Sequence, residues 1–320
     1  MVDAPQKFHF IVCAVLFGCD DSLVGLDLGE GITIARKSLI PNDQCRLDEI
    51  FETDAVGLRR EYDAARLNHE TLDVACIDSN YEFTGTVKAA KRYFDQKTSE
   101  LFTYLDDQIR TIRLLLEGPV RYKKLAIKME SEHYKLGVND MCHKFSWISP
   151  IGEAYGVTTI QKAHCDDIEQ LRLKMDRISF PLCKQDDKYK YINQAHMFYD
   201  RSYLVTLYEA EVLLITSLEI LFLDSEKGKK QRLSKRCTTF LCESQYERAQ
   251  TYKKLCEEYK KRSDYVHDGS ATNISQDDVI FLRKCVRKSI LKLLESPMDK
   301  KDLIKKLQEK IQSLDDWKSS

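Results

Sequence analysis

At 320 residues the chain is long enough for two ordinary domains or one large one with a substantial core, and its 43% hydrophobic content, 10% aromatic content and 6 prolines exclude disorder as the default state. The 50 basic residues against 51 acidic ones leave a formal net charge of -1, which excludes a global field that recruits nucleic acid, so any RNA contact has to come from a local patch. The 11 cysteines, scattered from Cys13 to Cys285, fit the reduced thiols of a cytoplasmic protein better than a disulfide framework.

The run FIVCAVLFGC, Phe10 to Cys19, has the length of a signal-peptide core and ends like a lipoprotein cleavage box. Asp3 and a lone Lys7 stand where several basic residues belong, and Phe17 is bulky for a processing site. The run therefore reads as a buried strand, and a periplasmic lipoprotein ranks behind the readings developed below. Phe8–Phe17 and Gly31–Leu39 both read as strands, and VGLDLGEGITI as a hairpin turning at Gly29, Glu30 and Gly31.

Helical spacing follows over Leu47–Leu67 and again over Val87–Leu116, where Ala90, Tyr93, Phe94, Leu101, Tyr104, Leu105, Ile109, Ile112 and Leu116 recur at spacings of three or four with slips until EGPV, Glu117 to Val120, stops the helix. Strand-like pieces return at Lys124–Glu130, Phe145–Ile148 and Tyr155–Ile160, and an amphipathic helix is expected over Ala163–Ile178 before Pro181.

From about residue 195 the strand signals disappear. Tyr199–Leu223 is apolar nearly all round, as a central helix would be. Its segment Leu204–Leu223 holds Glu209, Glu211 and Glu219 and lacks the clean apolar run of about 18 residues that a membrane span needs. Lys230–Glu243 is a shorter helix, and Gln245–His267 a longer one with Tyr252, Leu255, Tyr259 and Val266 on a recurring face. Ser275 is placed to cap the next helix, with Asp278 favouring its positive end and Val279, Leu282, Val286, Ile290 and Leu293 as the buried stripe before Pro297. A last helix, Lys301–Leu314, carries Ile304, Leu307, Ile311 and Leu314 beneath lysines. The expected class is α+β: a mixed region over 1–190, a four-helix unit over 195–296 and a C-terminal amphipathic helix over 297–320.

One stretch carries chemistry. In KKRSDYVHDG, residues 260 to 269, Gly269 suits the left-handed residue that ends a helix, which puts His267 in the final turn. There the negative end of the helix dipole favours an imidazolium. Arg262 lies five positions earlier, about 140° round an ideal helix, so the two groups converge only if the helix end unwinds or a ligand lies across it. Arginine with histidine, and no carboxylate metal ligands, suits RNA cleavage by attack of the 2′-hydroxyl on its own phosphate. That reaction needs a base, an acid and a cation on the phosphoryl oxygens, but no metal. A twofold dimer supplies the second histidine that a concerted step requires.

RSDYVHDG resembles the R-x4-H motif of the HEPN superfamily, and its surroundings are similar to the Apea-like branch: LEILF (Leu218 to Phe222), LSKRCTTFL (Leu233 to Leu241) and YKKLCEEYKKRSDYVHDG. The likeness covers about residues 195 to 295. It implies antiparallel helices that commonly dimerise and a metal-independent endoribonuclease, in a family with several toxins or effectors of prokaryotic antiphage defence. It also implies that Arg262 and His267 are the catalytic pair, with Ser263 and Asp264 in support, single-stranded RNA as substrate and an antitoxin or defence-system protein as a further partner. Ser263 after the arginine, and Asp268 between His267 and Gly269, depart from the usual pattern. They support the alternative, a non-catalytic HEPN-like module for nucleic-acid, nucleotide or protein binding and dimerisation.

Glu219 adds a physical constraint, because an unpaired carboxylate in an apolar helix costs several kcal/mol. Arg262 is its expected partner, either as a structural tie between helices or as a guanidinium oriented for chemistry. KGKKQRLSKR, Lys227 to Arg236, offers Lys229, Lys230, Arg232 and Arg236 as RNA contacts, with Lys261 beside the motif. The bland alternative is a solvated helix face. Cys142 with His143 and His164 with Cys165 lack zinc spacing, and Gly29 and Gly31 lack the Gly-Lys-Ser/Thr of a phosphate loop, so no metal or cofactor is expected. Tyr252, Tyr259 and Tyr265 could present a base-stacking face or pack in the core. His9, His69, His133 and His196 read as structural.

Overall fold

A computed structural model of the chain describes residues 4–17, 23–37, 74–116, 118, 120–122, 126–131, 134–136, 187–224, 228–268 and 274–314. The expected helices over 47–67 and 163–178, the strands at 145–148 and 155–160, and Gly269 lie outside the described residues, as do His69, His133, Cys142, His143, His164 and Cys165. The chain divides into two compact units, one holding the described residues up to 136 and the other those from 187 on. The described strands all fall in the first, so the architecture is α+β. No described helix is long and apolar enough to cross a membrane.

The first unit is built on an antiparallel sheet. Its strand order is β2 (Asp27–Gly29), β3 (Ile32–Lys37), β4 (Val74–Gly85), β1 (Gln6–Phe17), β6 (Ala126–Ser131) and β7 (Tyr134–Leu136), with β5 (Arg121–Tyr122) pairing the end of β1. Phe8, Phe10, Val12, Ala14 and Leu16 alternate along β1 and share a core with Ala90, Phe94, Leu101, Leu105, Ile109, Ile112 and Leu116 of α1 (Val87–Leu116). Ile11 and Cys13, on the opposite face of β1, are buried too. Burial on both faces is why this strand reads as a continuous apolar run. The β2–β3 turn places Glu30 at φ 54° and Gly31 at φ 72°. A positive-φ pair of this kind matches the twist of the strands it joins.

The second unit is all helix among its described residues: α2 (Asp187–Arg201), α3 (Leu207–Phe222), α4 (Lys229–Leu241), α5 (Gln245–Asp268), α6 (Gln276–Glu295) and α7 (Lys300–Ser313). Helix α3 packs against each of the others, which accounts for its nearly uniform apolar surface. On α6 the expected stripe of Val279, Leu282, Val286, Ile290 and Leu293 is fully buried. Each such side chain contributes roughly 1.5–3 kcal/mol as an upper estimate. Leu303, Ile304 and Leu307 seat α7.

Two local readings are corrected. The single helix expected over Tyr199–Leu223 is two helices, because the chain turns at Ser202–Thr206. Arg283 of α6 donates from Nε to Ser202 Oγ (3.2 Å) and from Nη2 to the Ser202 carbonyl (2.5 Å), and lies 4.1 Å over the Tyr203 ring. Thr206 then restarts the chain as the N-cap of α3 in a capping box with Glu209. Val266, expected on the buried face of α5, is 48% exposed.

Candidate functional site

Helix α5 presents two chemically different faces. On the first, the fully buried Glu258 pairs with Lys254 at 2.8 Å and Lys261 at 3.2 Å, one turn to either side of it. Both lysines also reach Asp278 on α6, at 2.5 and 2.6 Å. Asp278 accepts the Ser275 N–H at 3.0 Å and so belongs at once to this cluster and to the cap of α6. Burial acts to raise the Asp278 pKa, but the hydrogen bonds from Lys254, Lys261 and Ser275 outweigh it and hold the carboxyl well below the usual range. Burial acts to lower the pKa of each lysine, and the carboxylates reverse it, so both ammonium groups titrate above the ordinary lysine value.

Glu211 of α3 completes this face. It is fully buried, and neither of its carboxyl oxygens, nor Glu258 Oε2, has a hydrogen-bond donor among the described residues. Burial, and next the charge of Glu258, push its pKa up to about 8. The carboxyl is therefore protonated at neutral pH. Its proton supplies the missing donor for Glu258, joining two of the three orphaned oxygens in a carboxyl–carboxylate hydrogen bond.

The second face carries Arg262. Its Nη2 stands 3.8 Å from Glu219 Oε2 on α3, an ion pair wider than a hydrogen bond, and its guanidinium lies 5.9 Å from the centre of the Tyr259 ring. Tyr259 donates its hydroxyl to Glu219 Oε1 at 2.7 Å. Burial, then this bond, raise the Tyr259 pKa and keep the phenol protonated. The expected Glu219–Arg262 partnership is thus present, with Tyr259, read from the sequence as a base-stacking or a core ring, as a third member. Arg262 Nε is buried without an acceptor among the described residues. The side chain as a whole is 21% exposed and its pair with Glu219 is long, so an anion at its exposed edge would break no strong internal bond.

His267 lies exposed in the last turn of α5, with Ser263 and Asp264 half-buried between it and Arg262. The helix continues through Asp268, so it does not unwind to bring the pair together. Arg262 and His267 stay about 140° apart around its axis.

The basic run on α4 is divided. Lys229 and Lys230 lie half-buried in the first turn, and Arg232 pairs with Asp224. Arg236, placed in sequence among the RNA contacts, is 2% exposed and donates from Nη1 to the Phe222 carbonyl (2.8 Å) and to Asp224 (2.9 Å). Lys261 is committed to Glu258 and Asp278. Both cations serve the fold of this unit.

Sequence reasoning missed the roles of Glu211, Lys254 and Glu258. The signal was a second carboxylate, Glu211, in the same apolar helix that made Glu219 conspicuous. Among the described residues no group of three His, Cys, Asp or Glu side chains is arranged to hold a metal ion. Comparison with known protein families, with characterised proteins and with solved structures gives no match.

Proposed function

We propose that the helical unit is a HEPN-like, metal-independent endoribonuclease that works as a twofold dimer. The observation that carries this reading is Arg262, a half-buried guanidinium oriented by Glu219 and Tyr259, with Nε unpaired, a turn and a half before the exposed His267. In this mechanism one His267 takes the proton of the RNA 2′-hydroxyl as its oxygen attacks the adjacent phosphorus. The partner's His267 protonates the departing 5′-oxygen, and Arg262 stabilises the charge on the non-bridging oxygens. The products are a 2′,3′-cyclic phosphate and a 5′-hydroxyl. Ser263 and Asp264 border the pair. A cytoplasmic role in antiphage defence or a toxin-like stress response, restrained by an antitoxin or another defence-system protein, accords with such an activity.

The test is incubation of the full chain with mixed single-stranded RNA in EDTA, with analysis of the new ends. The wild type is expected to leave 2′,3′-cyclic phosphates and His267→Ala to leave the RNA intact at unchanged helicity. Equal cutting without the imidazole would overturn the assignment. A second reading, a non-catalytic nucleic-acid, nucleotide or protein-binding module, is favoured by the unbroken helix through Asp268 that keeps Arg262 and His267 apart. Binding without any cut in the same assay would establish it.

A further inference from the structure

We infer that the stacked rings of Tyr208 and Tyr265 form a nucleobase-docking subsite beside Arg262, which makes an unpaired stretch of RNA the ligand of this face. The inference rests on the RNA-directed reading above and adds what the site would recognise. Tyr208, in the first turn of α3, and Tyr265, on α5, stack with ring centroids 5.4 Å apart and planes 20° from parallel. Both residues are half-buried, so part of the stack meets solvent. Tyr265 stands three residues after Arg262, which places the two side chains as neighbours about 5–6 Å apart at Cβ on one helix surface.

The partly exposed stack beside a guanidinium marks this pair, and its hydroxyls differ from those of most packing tyrosines. Several described tyrosines that help build the fold put theirs to use, although Tyr93, packed against the sheet core and stacked on Phe83, bonds to no described residue through its own. Tyr122 donates to Asp106, Tyr191 to the Met298 carbonyl and Tyr259 to Glu219, while Tyr199 and Tyr203 bond to each other. Tyr208 and Tyr265 make no hydrogen bond to any described residue. Core aromatics of that polarity normally find a partner, whereas a ring whose hydroxyl points to water is free to offer its face. The next residue, Val266, is an apolar side chain 48% exposed in the same turn of α5.

A base laid on such a stack is held by its π-face, without sequence readout, and contributes about 1–3 kcal/mol, or roughly 5- to 150-fold in affinity. The adjacent guanidinium supplies the phosphate contact that a stacked base by itself lacks. A duplex keeps its bases inside and cannot use the platform. Single-stranded RNA is therefore the occupant that fits both groups.

The experiment measures binding by fluorescence anisotropy in the full-length His267→Ala background, so that cleavage does not consume the probe. Labelled oligoadenylate is compared with duplex RNA and with inorganic polyphosphate. Tyr265→Ala and Tyr208→Ala are expected to weaken oligoadenylate binding by 5-fold or more and leave polyphosphate binding unchanged. Tyr265→Phe and Tyr208→Phe should restore it to within about 2-fold. Tyr265→Met, which keeps bulk without a ring, guards against loss of packing, with circular dichroism as the check on folding. Unchanged oligoadenylate affinity in the folded Ala and Met variants, or an equal loss for polyphosphate, would overturn the subsite. Equal binding of duplex RNA would do the same. If the tyrosine dependence holds while the wild type leaves RNA uncut, the nuclease reading fails and the subsite stands. If the wild type cuts RNA and the Ala variants bind normally, the reverse is concluded.

Discussion

Lys261 and Arg262 are adjacent in sequence and face opposite chemical fates. Lys261 enters a buried cluster in which every charge is answered: two lysines meet Glu258 and Asp278, and Glu211 is neutralised by its own proton. Arg262 meets one carboxylate at 3.8 Å, one ring and no acceptor for Nε. The contrast teaches how one helix can be both anchor and instrument. The satisfied face fixes α5 against α3 and α6, and the other face keeps a partly exposed guanidinium that no short internal bond holds. Such incompleteness is stable only because the neighbouring face over-determines the helix position.

Breaking the anchor should have the largest effect. Glu258→Ala removes the carboxylate that both lysines share and strips Glu211 of its acceptor. Loss of one member of a buried ionic cluster costs about 3–5 kcal/mol. Urea unfolding followed by circular dichroism should show a loss of that size; a change under 1 kcal/mol would mean that the cluster is wetter than its burial indicates.

Next comes the instrument. Arg262→Lys keeps the charge but loses the planar fork and the contact over Tyr259. Cleavage of RNA should fall by about a hundredfold, the scale for removing one donor aimed at developing charge, while urea stability changes little. If stability falls as far as in Glu258→Ala and activity follows it, the two faces are one structural unit and the contrast between them dissolves.

The legibility of these features in the sequence follows the range of the interactions. Helix α6 was readable because its cap, Ser275 with Asp278, and its stripe from Val279 to Leu293 are set by neighbours within one helix. The turn at Ser202–Thr206 was hidden by the lack of any Gly or Pro, although Thr206 with Glu209 spells a capping box. What breaks the helix there is Arg283, about eighty residues away, and no periodicity reports it. Strand β4 escaped notice for a similar reason, since pairing with β1 over Cys76–Gly85 and with β3 over Val74–Ser79 defines it more than its own composition does. At the site, Arg262 and His267 were found by motif and Glu219 by the cost of a lone carboxylate. Glu258, in a charged stretch between Glu257 and Tyr259, looked like a solvated residue until α3 and α6 closed over it.

A titration sharpens the comparison further. The folded pKa of Glu211 is raised from the model-peptide range of about 4.3 to about 8. The stability this group contributes is therefore complete below its unfolded pKa and lost progressively as pH rises through the folded value. Between about pH 5 and 8 the wild type should lose up to tenfold in its folding equilibrium constant per pH unit from this one group, since the unfolded state binds one proton fewer. Glu211→Gln replaces the acid proton with an amide donor that can still reach Glu258, so its stability should lack that slope. Parallel profiles for the two proteins would show that Glu211 is ionised in the folded chain.

The smallest expected effect lies where the anchor meets the cap. Ser275→Ala removes the hydroxyl that accepts the Asp278 N–H at 3.3 Å but leaves the Ser275 N–H free to donate to Asp278 Oδ2 at 3.0 Å. Half of the capping box survives, so the loss should be about 1 kcal/mol, the ordinary cost of an N-cap substitution. Asp278 would still be held by Lys254 and Lys261, so its carboxyl should remain ionised to low pH, as two-dimensional NMR of its side chain would report. A loss near that of Glu258→Ala would instead mean that Asp278 owes its position to the cap. The buried cluster would then be organised from the start of α6, and the lysines of α5 would only follow.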